Sequence, residues 1–302
     1  MKYFEFIDEM AKRVKMCFDK DVSVEIHKVI KNNSMEYDSL TINEPGRNVT
    51  PNFYLQGMYS RYVDGIGLDS LVAEIVQKYE SAYDSEKYEN LSLDYDDCQE
   101  KIVMRLISFE KNKKMLEETP YIPFLDMAVV FYFLADSDES GIASIRITNE
   151  IMNNWKTDVK ELYTLASDNS KRIFEEKVMP MSKMLEEFNI DISKIRSEKV
   201  NHIYEERSEP YVVTNNIGIN GASVILYPDM LRKIAAKLGG DFYVLPSSIH
   251  EVLVISASEN VDEKKLKKMV EDINRNYLLP DEYLSDNVYK YNLIYNSLEM
   301  IA

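Results

Sequence analysis

Two short apolar runs, FYVL at Phe242–Leu245 and VLVI at Val252–Ile255, stand on either side of the six residues PSSIHE. Neither run alternates apolar with polar, as a strand with one wet face does. Both therefore read as strands covered on both faces, near the centre of a sheet. The residues between them must turn the chain. Pro246 has the fixed φ of a first turn corner, and Ser247 and Ser248 can return side-chain hydrogen bonds to the backbone. A chain with such a hairpin must build layers of sheet and helix around it.

The flanking text supplies those layers. YVVTNN (Tyr211–Asn216) and GASVILY (Gly221–Tyr227) read as two strands joined by a turn rich in Asn and Gly, and pair as a hairpin. Pro228 opens a helix carrying Leu231, Ile234, Ala235 and Leu238, which Gly239-Gly240 ends. Asn260 and Glu263 have capping-box spacing, and the helix they start runs to Asn276 with Leu266, Met269, Val270 and Ile273 on one face. The order ββαββα predicts an α+β fold: antiparallel sheets with helices packed on one face.

Toward the N-terminus, Phe4, Ile7, Ala11, Val14 and Phe18 mark a helix, and VSVEIHKVI followed by YDSLTIN reads as two strands. Pro51 after Thr50 suits the start of a helix through Met58 and Tyr62, and Asp69 caps the next. CQEKIVMRLISFEKNKKML fits either one helix or a helix entering a strand. FLDMAVVFYFLA, a polar turn and IASIRITN form a hairpin. Thr148 and Thr157 read as N-caps, and Met179–Phe188 as a helix. A chain of 302 residues exceeds what one core usually serves. The charged stretch 189–209 is the expected linker between two domains, 1–195 and 208–302.

Composition removes several classes of function. The longest apolar run, near Ala128–Ala135, is far too short to cross a bilayer, and the N-terminus carries acidic residues unlike a signal peptide; a cytoplasmic location is expected. Cys17 and Cys98 make neither a disulfide framework nor a zinc motif. His27, His202 and His250 fall in separate elements without metal-ligand spacing, so no metal and no cofactor is expected. A net charge of −16 works against binding nucleic acid or an anionic membrane directly.

Candidate sites gather near the opening hairpin. A nucleophile on Ser247 or Ser248, with His250 as base and Glu251 beside it, needs hydroxyl and imidazole within about 3 Å. The chain lacks the G-x-S-x-G elbow that presents a hydrolase serine. TNNIGING has neither dinucleotide nor P-loop spacing, and a strand follows it, which leaves Asn215, Asn216 and Asn220 to line a polar pocket. In NVYKYNLIYNSL, Tyr289, Tyr291 and Tyr295 recur at even spacing, as on one face of a final strand; with only Lys290 as a basic residue among them, such a face, if exposed, fits a protein partner better than RNA.

NNIGINGASVILYPDML, FYVLPSSIHEVLVI and VYKYN, with NVTPNFYL and PFLDMAVVFYF upstream, resemble a family of uncharacterised proteins of clostridia and related gut Firmicutes. The resemblance implies a bacterial cytoplasmic protein and carries no catalytic residues with it. The reading from the residues is a non-catalytic interaction or regulatory protein that holds a protein partner with its C-terminal sheet and loops. The alternatives are a hydrolase or small-ligand-binding protein built on Ser247, Ser248, His250 and Glu251, and an acidic inhibitor that mimics nucleic acid.

Overall fold

In α1 (Tyr3–Lys15) the residues that go inside are Phe6, Ile7, Met10 and Val14, while Phe4 is 78% exposed. The apolar stripe is thus rotated from the one that begins at Phe4. Each such side chain stabilises by roughly 1.5–3 kcal/mol over leaving it in water. The structure, a computed structural model, describes residues 1–46, 50–84, 92–138, 141–187, 209–246, 248–257 and 261–301. The chain forms two compact units, Met1–Asp94 and Tyr95–Ala302. The expected boundary region, 195–208, lies outside the described residues.

In the first unit, β1 (Ser23–Ile30) and β2 (Glu36–Asn43) pair antiparallel, and β3 (Phe53–Tyr54) adds to β2. Pro51 does not start a helix. Thr50 instead donates to Ile42 O at 2.7 Å, and Phe53 pairs with Leu40, so that both apolar side chains are buried; α2 (Leu55–Val63) begins after them. Leu40, Ile42, Phe53, Leu55 and Met58 meet α1 and the Leu71, Ile75 and Tyr79 face of α3 (Leu68–Asp84) in one core.

Glu74 of α3 lies 2.7 Å from Arg61 and 2.9 Å from Lys78. The hydrogen bonds from Arg61 and then Lys78 hold its carboxyl down to about 2. Because the folded pKa is depressed, the stabilisation is complete above the ordinary carboxylate range and is lost as pH falls toward 2. The partners are half-exposed, so the contribution is about 0.5–1 kcal/mol. Glu74→Gln should lower the urea midpoint at pH 7, and the difference from wild type should shrink steadily below pH 4.5. A difference that does not change with pH would refute the assignment.

The second unit begins with α4 (Tyr95–Cys98) and a sheet of four strands: β4 (Ile102–Ser108), β5 (Tyr121–Phe124), β6 (Met127–Asp138) and β7 (Gly141–Arg146). The ambiguous stretch after Cys98 is thus a strand, followed by α5 (Lys113–Leu116). β6 lies between β4 on one edge and β5 followed by β7 on the other. α6 (Asn149–Asn154) is capped by Thr148, which accepts from Ile151 N–H. The cap of α7 (Val159–Ile173) is Asp158, one residue beyond the expected Thr157, because its carboxylate reaches both Lys160 and Glu161 N–H.

A six-stranded antiparallel sheet follows the order β13-β12-β10-β11-β9-β8. Its strands are β8 (Glu176–Pro180), β9 (Tyr211–Asn215), β10 (Phe242–Leu245), β11 (Val252–Ser256), β12 (Tyr289–Asn292) and β13 (Ser297–Met300). β10 and β11 pair with Val244 opposite Val254 and lie centrally, buried as the apolar runs require. Phe242, Val244, Val252 and Val254 share a core with Met104, Leu106 and Phe131 of the other sheet and with Leu162 and Ala166 of α7. Tyr243, Leu245, Leu253 and Ile255 point the other way, onto Leu266 and Val270 of α10 (Glu263–Tyr277), whose N-cap is Asp262. Asn260, expected as that cap, lies outside the described residues.

Two expectations in this region need correction. Residues 176–180 are strand, and only Met181–Glu187 forms a helix, α8. GASVILY is not a strand: Gly221–Leu226 is a 3-10 helix, leading to α9 (Met230–Leu238). The cause is the sheet itself. β11 takes one edge of β9 and β8 takes the other, so the edge a hairpin partner needs is already occupied.

Candidate functional site

Thr214 ends β9 with its hydroxyl donating to His250 O at 2.8 Å. Asn215 then closes the loop: its Oδ1 accepts from Ile217 and Gly218 N–H, and its Nδ2 donates to Ile219 O at 2.8 Å. These bonds deliver Asn220, in the left-handed region at φ 54°, so that its N–H donates to His250 Nδ1 at 3.2 Å. Ala222 N–H donates to Ile249 O. The loop after β9 is thereby stitched to the turn between β10 and β11.

Gly221 sits at the crossing. A Cβ there would stand 2.2 Å from Thr214 Oγ1 and 2.5 Å from His250 O, so only glycine fits.

Within the turn, Ser248 is buried. Its hydroxyl donates to Glu251 Oε1 at 2.8 Å and accepts from His250 N–H at 2.9 Å. That geometry is a local side-chain cap on a turn. The hydroxyl does not face the imidazole, so the proton relay of a serine nucleophile is not assembled between Ser248 and His250. Ser247 lies outside the described residues.

The ring of His250 has a defined orientation. With Nδ1 accepting a backbone N–H, the neutral imidazole carries its proton on Nε2. Nε2 faces Glu282 Oε1 at 3.6 Å, with the two side chains 28% and 29% exposed. Ile249 N–H also donates to Glu282 O at 2.9 Å, which fixes the segment carrying that carboxylate. The result is one half-exposed imidazole–carboxylate pair at the mouth of the sheet, held by three segments of chain.

Of the residues singled out from the sequence, Asn220, Ser248, His250 and Glu251 come together here. Asn215 is buried as the organiser of its loop, and Asn216 is exposed, with its backbone N–H donating to Glu175 O. Glu282 has no local sequence signal, because an irregular segment brings it in from beyond α10. Among the described residues, no group of three His, Cys, Asp or Glu side chains could hold a metal ion. His202 lies outside them.

The C-terminal tyrosines do not form an exposed face. Tyr289 and Tyr291 are buried in the core, because β12 pairs with β10 and turns these side chains inward. What the β12–β13 hairpin exposes instead is its tip, with Leu293 41%, Ile294 87% and Tyr295 78% exposed.

That tip is tightly held. Asn292 Oδ1 accepts from Ile294 and Tyr295 N–H, and Leu293 N–H donates to Asp241 Oδ1 at 2.9 Å. Asn296, at φ 49°, accepts from Tyr291 OH at 2.6 Å and from Arg232 Nε at 3.1 Å. An apolar loop that were merely loose would need no such network.

The sequence profile of a family of unknown function, DUF5688, matches residues 3–293. No curated protein and no solved structure matches the chain. No helix among the described residues is long and apolar enough to cross a membrane.

Proposed function

Because the chain belongs to the DUF5688 family, whose description assigns no activity, we propose a function from its geometry: a non-catalytic cytoplasmic interaction protein that docks a protein partner through the β12–β13 tip. The preorganised, exposed Leu293-Ile294-Tyr295 tip carries this reading. Exposed aliphatic and aromatic side chains on a rigid turn lose little entropy when they enter an apolar pocket, and such anchors dominate protein interfaces. Two further observations support the reading. The hydroxyl of Ser248 is engaged by Glu251, and that of Tyr289 is engaged inside the core.

The test is a variant that changes only the tip. Ile294→Asp with Tyr295→Asp should leave the melting temperature within about 2 °C of wild type, as expected of exposed positions. The same variant should abolish stoichiometric capture of a partner that the wild-type protein retains. Equal recovery of that partner by both proteins would place the interface elsewhere.

A further inference from the structure

The outer face of the four-stranded sheet carries a second feature, independent of the tip and of the His250 turn. Pairing places Arg105 opposite Val130 and Arg146 opposite Tyr132, so Arg105, Tyr132, Ser144 and Arg146 share one face.

This face has apolar cover at both ends. Ile107, Ala128 and Val130 pack with Met115 and Leu116 of α5 at one end, and Val103 and Leu134 pack with Phe174 at the other; Tyr132 borders both clusters. Between them lies an island of hydrogen-bond donors. The Arg105 guanidinium stacks over the Tyr132 ring, 3.8 Å from its centroid, and donates to Ser144 Oγ at 2.6 Å. Burial pushes that guanidinium down from its ordinary pKa, against the pull of Tyr132. Arg146 Nε is buried and has no hydrogen-bond acceptor.

No carboxylate among the described residues forms an ion pair with either arginine, although the chain carries 52 acidic residues against 36 basic ones. Two half-buried guanidinium groups with no counter-ion among the described residues are costly, and so is a buried N–H left without an acceptor. A chain so rich in acid could have neutralised them cheaply. Their isolation is accounted for if the counter-ion comes from outside.

The donors define its chemistry. Arginine offers only N–H groups, and the Ser144 hydroxyl, having accepted from Arg105, still has its own proton to donate. A tetrahedral, acceptor-only group with a charge of about −1.5 to −2 matches two guanidinium groups and a hydroxyl. We propose that Arg105, Ser144 and Arg146 bind the phosphoryl group of a small phosphorylated ligand on the outer face of this sheet.

The test uses the full chain with inorganic phosphate and glycerol 3-phosphate, titrated calorimetrically at constant ionic strength maintained with chloride. Saturable binding of both is expected in the wild-type protein. Arg105→Gln and Arg146→Gln should each weaken it at least tenfold, whereas Arg275→Gln, the same charge change at an exposed site on α10, should leave it unchanged. Arg146→Lys retains the charge and removes the planar fork, so it should also weaken binding, with a melting curve like that of wild type. That variant keeps the proposal testable if a glutamine variant fails to fold.

Three results would overturn the proposal. Binding of succinate equal to that of phosphate would show that the site does not select phosphoryl groups. Equal loss in Arg275→Gln would reduce the effect to general charge. Binding to phosphatidate vesicles, lost in Arg105→Gln and unmatched by glycerol 3-phosphate, would replace the small ligand with a lipid surface.

Discussion

Replacing Gly221 with alanine should destabilise the second unit by about 3–4 kcal/mol, in the range where a single substitution signals a specific steric or packing failure. The added methyl meets Thr214 Oγ1 at 2.2 Å, His250 O at 2.5 Å and Asn215 N at 2.8 Å. Rotation of Thr214 could relieve the first contact at the loss of its bond to His250 O, but the other two atoms are backbone. The loop after β9 or the turn after β10 must therefore move, and the bond from Asn220 N–H to His250 Nδ1 goes with it. The denaturant midpoint should fall without a change in slope. Gly57→Ala is the control. Gly57 lies within α2 and nothing stands within 4 Å of its added methyl, so alanine there should stabilise by about 0.5–1 kcal/mol. If the two variants shifted the midpoint alike, the crossing at Gly221 would not be the constraint described.

A comparable effect should come from Asp126, in the turn between β5 and β6. Its carboxylate accepts from Ser285 Oγ at 2.6 Å, from Asn287 Nδ2 at 2.8 Å and from Tyr289 OH. Burial, and then the charge of Asp126, raises the Tyr289 phenol well above its ordinary pKa, so the hydroxyl keeps its proton and donates it. Asp126→Ala would take the acceptor from the Ser285 hydroxyl and from Asn287 Nδ2 and leave Tyr289 OH only its bond to Ser285 Oγ at 2.8 Å, so that buried donors lose their acceptor at a cost of about 3 kcal/mol. The melting temperature of a unit this size should drop by about 6–12 °C. Asp126→Asn keeps one carbonyl acceptor and should recover more than half of the loss. Equal losses in the two variants would mean that the turn, not the acceptor, matters.

What could be read in advance is what local chemistry decides. The central hairpin was legible because four consecutive apolar residues on each side of a Pro-Ser-Ser turn leave few other arrangements. Thr148 declared its helix because its cap is made within three residues. GASVILY was misleading for the opposite reason. Its residues suit a strand, but the edge it needs belongs to β8, and no local pattern announces that competition. The candidate site divides in the same way. His250, Glu251 and Asn220 stand out as polar residues beside apolar runs, whereas Glu282 arrives through tertiary packing. Arg105 and Arg146 look like ordinary polar positions in two strands. Only the pairing register puts them on one face, where no carboxylate of the described residues pairs with either.

The order β13-β12-β10-β11-β9-β8 also has a consequence for synthesis. β10 and β11 leave the ribosome and can pair while β12 is still to be translated. Until Tyr289–Asn292 has emerged, one edge of β10 presents unpaired backbone donors and acceptors along a wholly apolar strand, which is a template for pairing with another nascent chain. β12, translated after β10 and β11, therefore covers that apolar edge, and a ribosome stalled before it would release a chain with the edge of β10 open to self-association.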